Sequence, residues 1–239
     1  MRRISFLSAM RGGTSEVCPL PDSTSSFVDI GSAGEFSAWW YTRAADDEIP
    51  ENRRHPSETG TTLRRQLDAF MSDIFHGGGA NAEVVPRTSV TRLEFRSSPR
   101  GDWRRPANIG YGLSYAFPIL VALLMAQSGQ VVMIDSPEAH LHPHGQSIIG
   151  KQMAHFASAG IQVVVETHSD HVLNGVRLAV RDGKLAASDV AIHFFSADKT
   201  EGSGIFSPRL NSDGALSEWP NGFFDQSELD LARLSGMDD

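Results

Sequence analysis

From Ser114 onward the chain alternates between two hydrophobic patterns. Near-continuous apolar runs at Val131–Asp135, Ile161–Glu166 and Val190–Ser196 read as strands buried on both faces. Stretches with apolar residues along one face predict helices over about Ser114–Gln127, Pro143–Ala159 and Ser169–Arg181. Strands alternating with helices predict an α/β fold: a mainly parallel sheet flanked by helices. Upstream, Ile4–Met10 reads as a short strand. Thr61–Phe75 places Leu63, Leu67, Phe70 and Ile74 on one helical face, with "GGG" ending it. "AEVVPR" and "TRLEFRS" alternate like half-buried strands. Residues 11–60, rich in Gly, Ser, Pro and charge, show no clear period and are expected to form an irregular, partly mobile insertion. Within it Trp39, Trp40 and Tyr41 should pack locally, being costly to leave in water. Residues 201–220 suggest a hairpin-like β extension, and "DQSELDLARLSG" a last helix with Asp225 as its N-cap. The expected division is residues 1–107, 108–198 and 199–239.

Composition narrows this picture without redirecting it. With 239 residues, 40% hydrophobic and 21% charged, the chain is ordinary globular material rather than disordered. A net charge of −8 argues against a protein that coats nucleic acid over its whole surface. The one basic bias, Arg87–Arg105, is either a solvated face or a local nucleic-acid or phosphate surface. Cys18 is the one cysteine and has no internal disulfide partner, so a reduced, cytoplasmic setting is expected. The longest apolar run, Ala116–Ala126, is about half the ~20 residues a membrane span needs and reads as a buried helix. The apolar run in "MRRISFLSAM" is too short for a signal peptide.

The chemistry gathers where predicted strands run out into loops, the usual place for reactive groups in a parallel α/β sheet. Asp135 ends a buried apolar run, where an ionised carboxylate needs a partner or a metal. A hydrated Mg²⁺ suits it, since that ion keeps most of its waters and takes one or two carboxylates. Glu138, three residues on, is placed to act as general base toward a water. His168, at the end of the neighbouring run, could bond a terminal phosphate or the same water. The turn containing Gly110 and Gly112 presents backbone N–H groups before a helix, an anion-friendly arrangement, and Ser114 adds a hydroxyl there, or serves as the helix N-cap. His140, His142 and His144 alternate, but a zinc site would need a second ligand segment such as His168 and His171. A serine hydrolase is disfavoured, because "GLSYA" lacks the second glycine of a nucleophile elbow.

The order "NIGYGLSYAFPILVALL … VVMIDSPEAHLHP … VVVETHSDHVLNGVRLAV" resembles the ABC-type ATPase heads of the SMC/RecF/OLD-like group, and most of all its stand-alone AAA-family ATPases. The resemblance covers roughly Asn108–Val180. It implies the C-terminal part of a P-loop NTPase head with a small β/α extension. It also implies that Asp135 is the Walker B aspartate binding Mg²⁺, Glu138 the catalytic glutamate and His168 the switch histidine. "HLHP" would hold the D-loop position. "GYGLS" would hold that of the signature motif, whose Gly112 and Ser114 touch ATP held by a partner head. ATP and Mg²⁺ are the implied cofactors, a second head (identical or different) the implied partner, and nucleic acid a further one. Such heads work in DNA repair and phage defence.

One part of that pattern is missing. No Gly-x-x-x-x-Gly-Lys-Ser/Thr loop occurs: "RGGTSE", "HGGGANAE" and "EGSGIFS" all lack the lysine. Three readings stay open. A partner chain supplies the Walker A lobe, the coding sequence starts late, or the chain is a scaffold that has lost nucleotide binding. ATP hydrolysis is expected only if the missing lobe is supplied.

Overall fold

The fold is built round one helix, α3 (Tyr111–Met125), which is apolar on every side and therefore has no face to offer water. The computed structural model describes residues 4–21, 28–196 and 204–236. Within them Leu113, Phe117, Leu120 and Leu124 of α3 are buried. Each such side chain contributes roughly 1.5–3 kcal/mol by leaving water, so this helix organises the core.

To one side lies a three-stranded parallel sheet of β1 (Ile4–Leu7), β5 (Val131–Asp135) and β6 (Gln162–Glu166), in the order β1-β5-β6. The register sets Phe6 beside Met133 and Met133 beside Val164. To the other side β2 (Val17–Pro19), β3 (Gly78–Val84) and β4 (Val90–Ser97) form an antiparallel sheet ordered β2-β4-β3. Helices α1 (Ser37–Ala44), α2 (Leu63–Ile74), α4 (Pro143–Ser158) and α5 (Asp170–Arg181) complete the packing. Beyond them are a short antiparallel pair, β7 (Phe194–Phe195) with β8 (Ile205–Phe206), and α6 (Gln226–Leu234). The α/β class with a parallel sheet and flanking helices is thus as expected. No helix among the described residues is long and apolar enough to cross a membrane.

Several local expectations are corrected. The 11–60 stretch carries β2 and α1 and is part of the main core. Tyr41 is buried edge-on to Phe117 at 5.7 Å, its hydroxyl donating to the Ala80 carbonyl at 3.0 Å. Arg53 then donates to the carbonyls of Leu124 (3.2 Å) and Ala126 at the end of α3. Residues 22–27 of that stretch lie outside the described residues. Helix α2 ends at Ile74 with Phe75 as its C-cap, before the "GGG" run; Gly77, with φ +74°, turns the chain, and Gly78 and Gly79 already belong to β3. Helix α3 starts three residues before Ser114, with Gly110 as its N-cap, so Ser114 is not the cap. Val190–Ser196 does not join the parallel sheet. Only Phe194 and Phe195 are strand, paired with β8, because Phe194 is drawn to Phe206 and Phe223, with ring centroids 6.2 and 5.2 Å apart. The expected hairpin appears as the β8 pairing and an isolated bridge of Leu210 with Leu216, residues 201–203 lying outside the described residues. Asp225 occupies the N-cap position of α6, yet its Oδ2 accepts from Gly222 N at 2.8 Å, outside the helix.

Two features bear on the site. First, the parallel sheet is covered more fully on one face than on the other, where only Val131 is buried. Leu7, Val132 and Ile134 are buried with α3 and α4, whereas Ile4, Phe6 and Val164 on the opposite face are 56%, 46% and 40% exposed. Second, α4 and α5 touch backbone to backbone. A Cβ on Gly150 would overlap the Val172 carbonyl, and one on Gly175 would overlap the Ser147 carbonyl and lie 3.0 Å from Lys151 N. These helices follow the two loops that carry the chemistry, so their crossing holds those loops in relative position. Gly175→Ala is expected to lower the unfolding free energy by about 2 kcal/mol, as overpacking of a filled interior does. Urea denaturation measures this, and an unchanged midpoint would show that the helices separate without cost.

Candidate functional site

Strands β5 and β6 end side by side, and the register places Asp135 next to Glu166. The apolar residues before each acid are gripped by the sheet, so the carboxylates are delivered to the rim of the strand tips. Ser136 Oγ donates to Asp135 Oδ1 at 2.9 Å and lies 3.5 Å from Glu166 Oε2, linking the two acids. Its backbone N–H donates to the Glu166 carbonyl at 3.0 Å, and its φ of +48° turns the chain sharply out of the sheet. The Ser136 hydroxyl is the main reason the Asp135 carboxyl sits below its ordinary pKa, with the Ala9 N–H and Arg11 adding to this against a desolvation cost. Asp135 is therefore ionised at neutral pH.

The loop then returns Glu138 to the β6 side. Its Oε2 accepts from Thr167 Oγ1 at 2.7 Å and its Oε1 from His168 N at 2.9 Å. Both of its oxygens are thus oriented by the neighbouring loop. The His168 ring stands out from the surface, 88% exposed, with Nε2 3.2 Å from Glu166 Oε1. Ser169 caps α5, accepting from Val172 N at 3.2 Å, so the Thr167–His168 loop is anchored by a helix start. Asp135, Glu138 and His168 are accordingly brought to one rim, joined by Ser136, Glu166 and Thr167.

The sequence reading missed Arg11. Its side chain is buried, with 6% exposure, and Nη1 donates to the carbonyls of Ser8 (3.0 Å) and Asp135 (2.9 Å) while Nη2 donates to that of Ser136 (2.5 Å). The guanidinium also lies 5.3 Å from the Tyr115 ring centroid, a cation–π contact. Burial lowers the Arg11 pKa, and the charges of Tyr115, Asp135 and Glu138 oppose that shift. A signal was present: an arginine just past an apolar strand, in a chain whose neighbouring strand ends in an acid.

Gly110, Gly112 and Ser114 sit apart from the acids, though coupled to their loop. Gly110 adopts φ +92° at the start of α3, with open space where a Cβ would be. A Cβ on Gly112 would overlap the Phe75 ring and crowd the His140 carbonyl at 3.2 Å. His140, itself at φ +61°, stacks on Tyr111 (5.0 Å) and meets Tyr115 edge-on (4.4 Å). Ser114 Oγ is buried with no hydrogen-bond partner and lines a separate pocket of about 180 Å³ with Gly12, Gly13 and Phe117. His142 caps α4, accepting from His144 N. Among the described residues no three His, Cys, Asp or Glu side chains are grouped as a metal cage, so the alternating histidines do not converge. In Arg87–Arg105, Arg92 pairs with Glu83, Arg96 with Asp68 at 2.9 Å, and Arg105 with Glu16 at 3.1 Å. These arginines neutralise acids of their own chain.

Residues 23–174, well over half of the chain, match the AAA_21 family, an AAA domain whose description links it to the AbiEii toxin of the Type IV TA system. The chain belongs to this AAA-domain family. Residues 185–234 match a second family, DUF3696, of unknown function. No curated protein matches. Similar solved structures include one described under ATP-driven dimerisation and DNA-stimulated activation of SMC ATPases, at 14% identity and TM-score 0.45, covering 71% of this chain and 90% of that one. Another is the Smc head domain with a coiled coil and joint from Pyrococcus yayanosii, at 13% identity and TM-score 0.44, covering 71% of this chain and 29% of that one. The Smc head bound to the C-winged helix domain of ScpA is similar at 16% identity and TM-score 0.38, covering 47% and 36%. This chain thus spans under two thirds of the latter two.

Arg11 gives the site a stability test. Arg11→Met keeps the bulk but leaves the carbonyls of Asp135 and Ser136 unpaired, and hydrogen bonds to a charged donor are worth about 1.5–3 kcal/mol. Amide hydrogen exchange over residues 136–141 is expected to accelerate while the β5 interior stays protected. Unaltered exchange in that loop would mean the backbone holds it unaided.

Proposed function

We propose that this AAA-family chain forms the hydrolytic wall of an ATP site. The reading rests on one observation: Asp135, Glu166, Glu138 and the exposed His168 ring share the rim of two adjacent strand tips. The donor set fits magnesium, because ionised carboxylates and a hydroxyl are the hard oxygen ligands that ion takes, with its remaining positions left to water. Asp135 would hold it, with Glu166 beside it. When bound, the ion would neutralise charge on phosphate oxygens.

Glu138 is the general base. Its carboxylate is fixed by Thr167 Oγ1 and His168 N, which leaves outer lone pairs to orient a water and take its proton. His168, tethered by its backbone to Glu138 and by its ring to Glu166, is placed to sense a terminal phosphate. Gly110, Gly112 and Ser114 at the start of α3 would meet ATP held by a second head, homologous or identical, in a dimer. The phosphate-gripping Walker A loop is not among these 239 residues and would come from outside them. Work in DNA repair or phage defence, with nucleic acid near the complex, is the setting proposed.

A second reading is favoured by one observation. The 239 residues contain no Gly-x-x-x-x-Gly-Lys-Ser/Thr loop, which suits a scaffold subunit that has lost nucleotide binding. Enzyme assays separate the two. The chain alone should turn over little Mg-ATP, and turnover should appear when a Walker A-bearing partner is added. Glu138→Gln should cut that turnover by about 10²–10⁴, the usual contribution of a general base, while nucleotide binding persists. A reconstituted complex with full activity in the Glu138→Gln variant would remove Glu138 from the mechanism, and a complex that binds no nucleotide would favour the scaffold.

A further inference from the structure

A groove of about 760 Å³ runs along β6 and takes Glu166, Thr167 and His168 into its lining, so it belongs to the acid rim already described. The pocket of about 180 Å³ at the start of α3 is separate, and none of Asp135, Glu138, Glu166 and His168 lines it. Part of its lining is Cys18 and Leu93 of the antiparallel sheet with Phe117 and Pro118 of α3. The Phe117 ring is held edge-on by Tyr41 at 5.7 Å and by Phe95 at 5.6 Å. Another part is Gly12 and the Ala33–Gly34 turn, joined where the Gly12 N–H donates to the Ala33 carbonyl at 2.9 Å. Gly34, at φ +72°, has no room for a Cβ, which would overlap the Pro118 ring, so backbone closes that side. The pocket is therefore preformed, fixed by ring packing in one part and by backbone contacts in another.

Its polar groups are satisfied with one exception. Ser37 Oγ donates to the Gly34 carbonyl at 2.5 Å, and the Glu35 carboxylate accepts from Ala33 N at 2.8 Å. Ser114 is only 7% exposed, and its Oγ has no hydrogen-bond partner. One turn along, Pro118 has no N–H to give the Ser114 carbonyl, so that acceptor lacks its usual helical donor as well. Among the described residues no lysine, arginine or histidine lines the pocket. The Cys18 thiol, pushed up to about 11 by burial, is uncharged at neutral pH. An anion would thus meet Glu35 with no cation to hold it, and a phosphate or nucleotide is the wrong ligand. Size narrows the choice further, since an apolar cavity of about 150 Å³ takes a single benzene.

We propose that this pocket binds a small uncharged molecule, about one ring in size and mostly apolar, whose hydroxyl or N–H donates to Ser114. The apolar body packs on Leu93, Phe117 and Pro118, and the donor fills the vacancy that helix and core leave at Ser114. The proposal goes beyond the ATP-site reading, and a Ser114 hydroxyl engaged here is not free to meet ATP on a second head.

The test uses the whole 239-residue protein with phenol, toluene and benzoate at millimolar concentration. Cys18 is the one cysteine, so its alkylation by iodoacetamide, read by intact mass, reports occupancy of the pocket. The thermal unfolding midpoint is the second readout. Phenol is expected to slow alkylation and raise the midpoint, binding about tenfold more tightly than toluene, the scale of one hydrogen bond. Benzoate should do neither. Ser114→Ala removes a hydroxyl without a partner, so it should keep the midpoint of the parent and bind phenol and toluene equally. Ala33→Leu fills the pocket while keeping the backbone bonds of residue 33, and should abolish protection by both. The proposal is overturned if phenol leaves alkylation and midpoint unchanged, or if benzoate protects as well as phenol. It also fails if the parent protein does not distinguish phenol from toluene, or if Ser114→Ala still does.

Discussion

Two parallel strands that end in adjacent carboxylates pose an electrostatic problem, and the surrounding structure is arranged around it. Side by side, Asp135 and Glu166 set two carboxylates at neighbouring strand tips, a like-charge contact that costs Coulomb energy. The Ser136 hydroxyl bridges them, and the buried Arg11 guanidinium lies behind. Arg11 binds the carbonyls of residues 135 and 136 and not the carboxylates. Its charge thus acts through space while the carboxylate oxygens stay available to a ligand. An arginine paired directly to Asp135 would have stabilised the acid and closed the site.

Glu138 is treated differently. The neighbouring loop holds it from two sides, through Thr167 Oγ1 and the His168 N–H. Two hydrogen bonds thus tie the β5 loop to the β6 loop at this carboxylate. Beneath them the Gly150–Gly175 contact leaves no slack between the helices that follow each loop. On the far side, His140 transmits the position of the same loop to Tyr111 and Tyr115 at the start of α3. The glycine turn and the acids, which do not touch, are thereby connected through packed rings.

What could be read from the sequence follows from how many constraints act on each segment. β5, β6, α4 and α5 fall within a residue or two of expectation because burial, period and capping residues all agree there. Asp135, Glu138 and His168 were legible as strand-end residues, since an acid after Val-Val-Met-Ile has no packing explanation. α1 was not legible: its burial comes from partners distant in sequence, such as Ala80 and Phe117, and not from a repeated period. Arg11 was hidden for the same reason, since its bonds reach residues 124 and 125 positions away. Of the strand expected over Val190–Ser196 only Phe194 and Phe195 form one, and periodicity does not say which edge a strand will join. Phe206 and Phe223 decided that.

That misplaced strand exposes the broader logic of the molecule. Had Val190–Phe195 paired with β6, the sheet would have closed and the groove vanished. The segment instead stands off with apolar side chains turned toward β6, forming a second wall. An exposed sheet face, an open strand edge and a rim of adjacent acids are each unfavourable alone. They lie together at one corner of the fold. The acids at Asp135, Glu138 and Glu166 and the hydrophobic residues at Ile4, Phe6 and Val164 therefore belong to one problem: an exposed sheet face and a cluster of acids carried by the same strands and their loops.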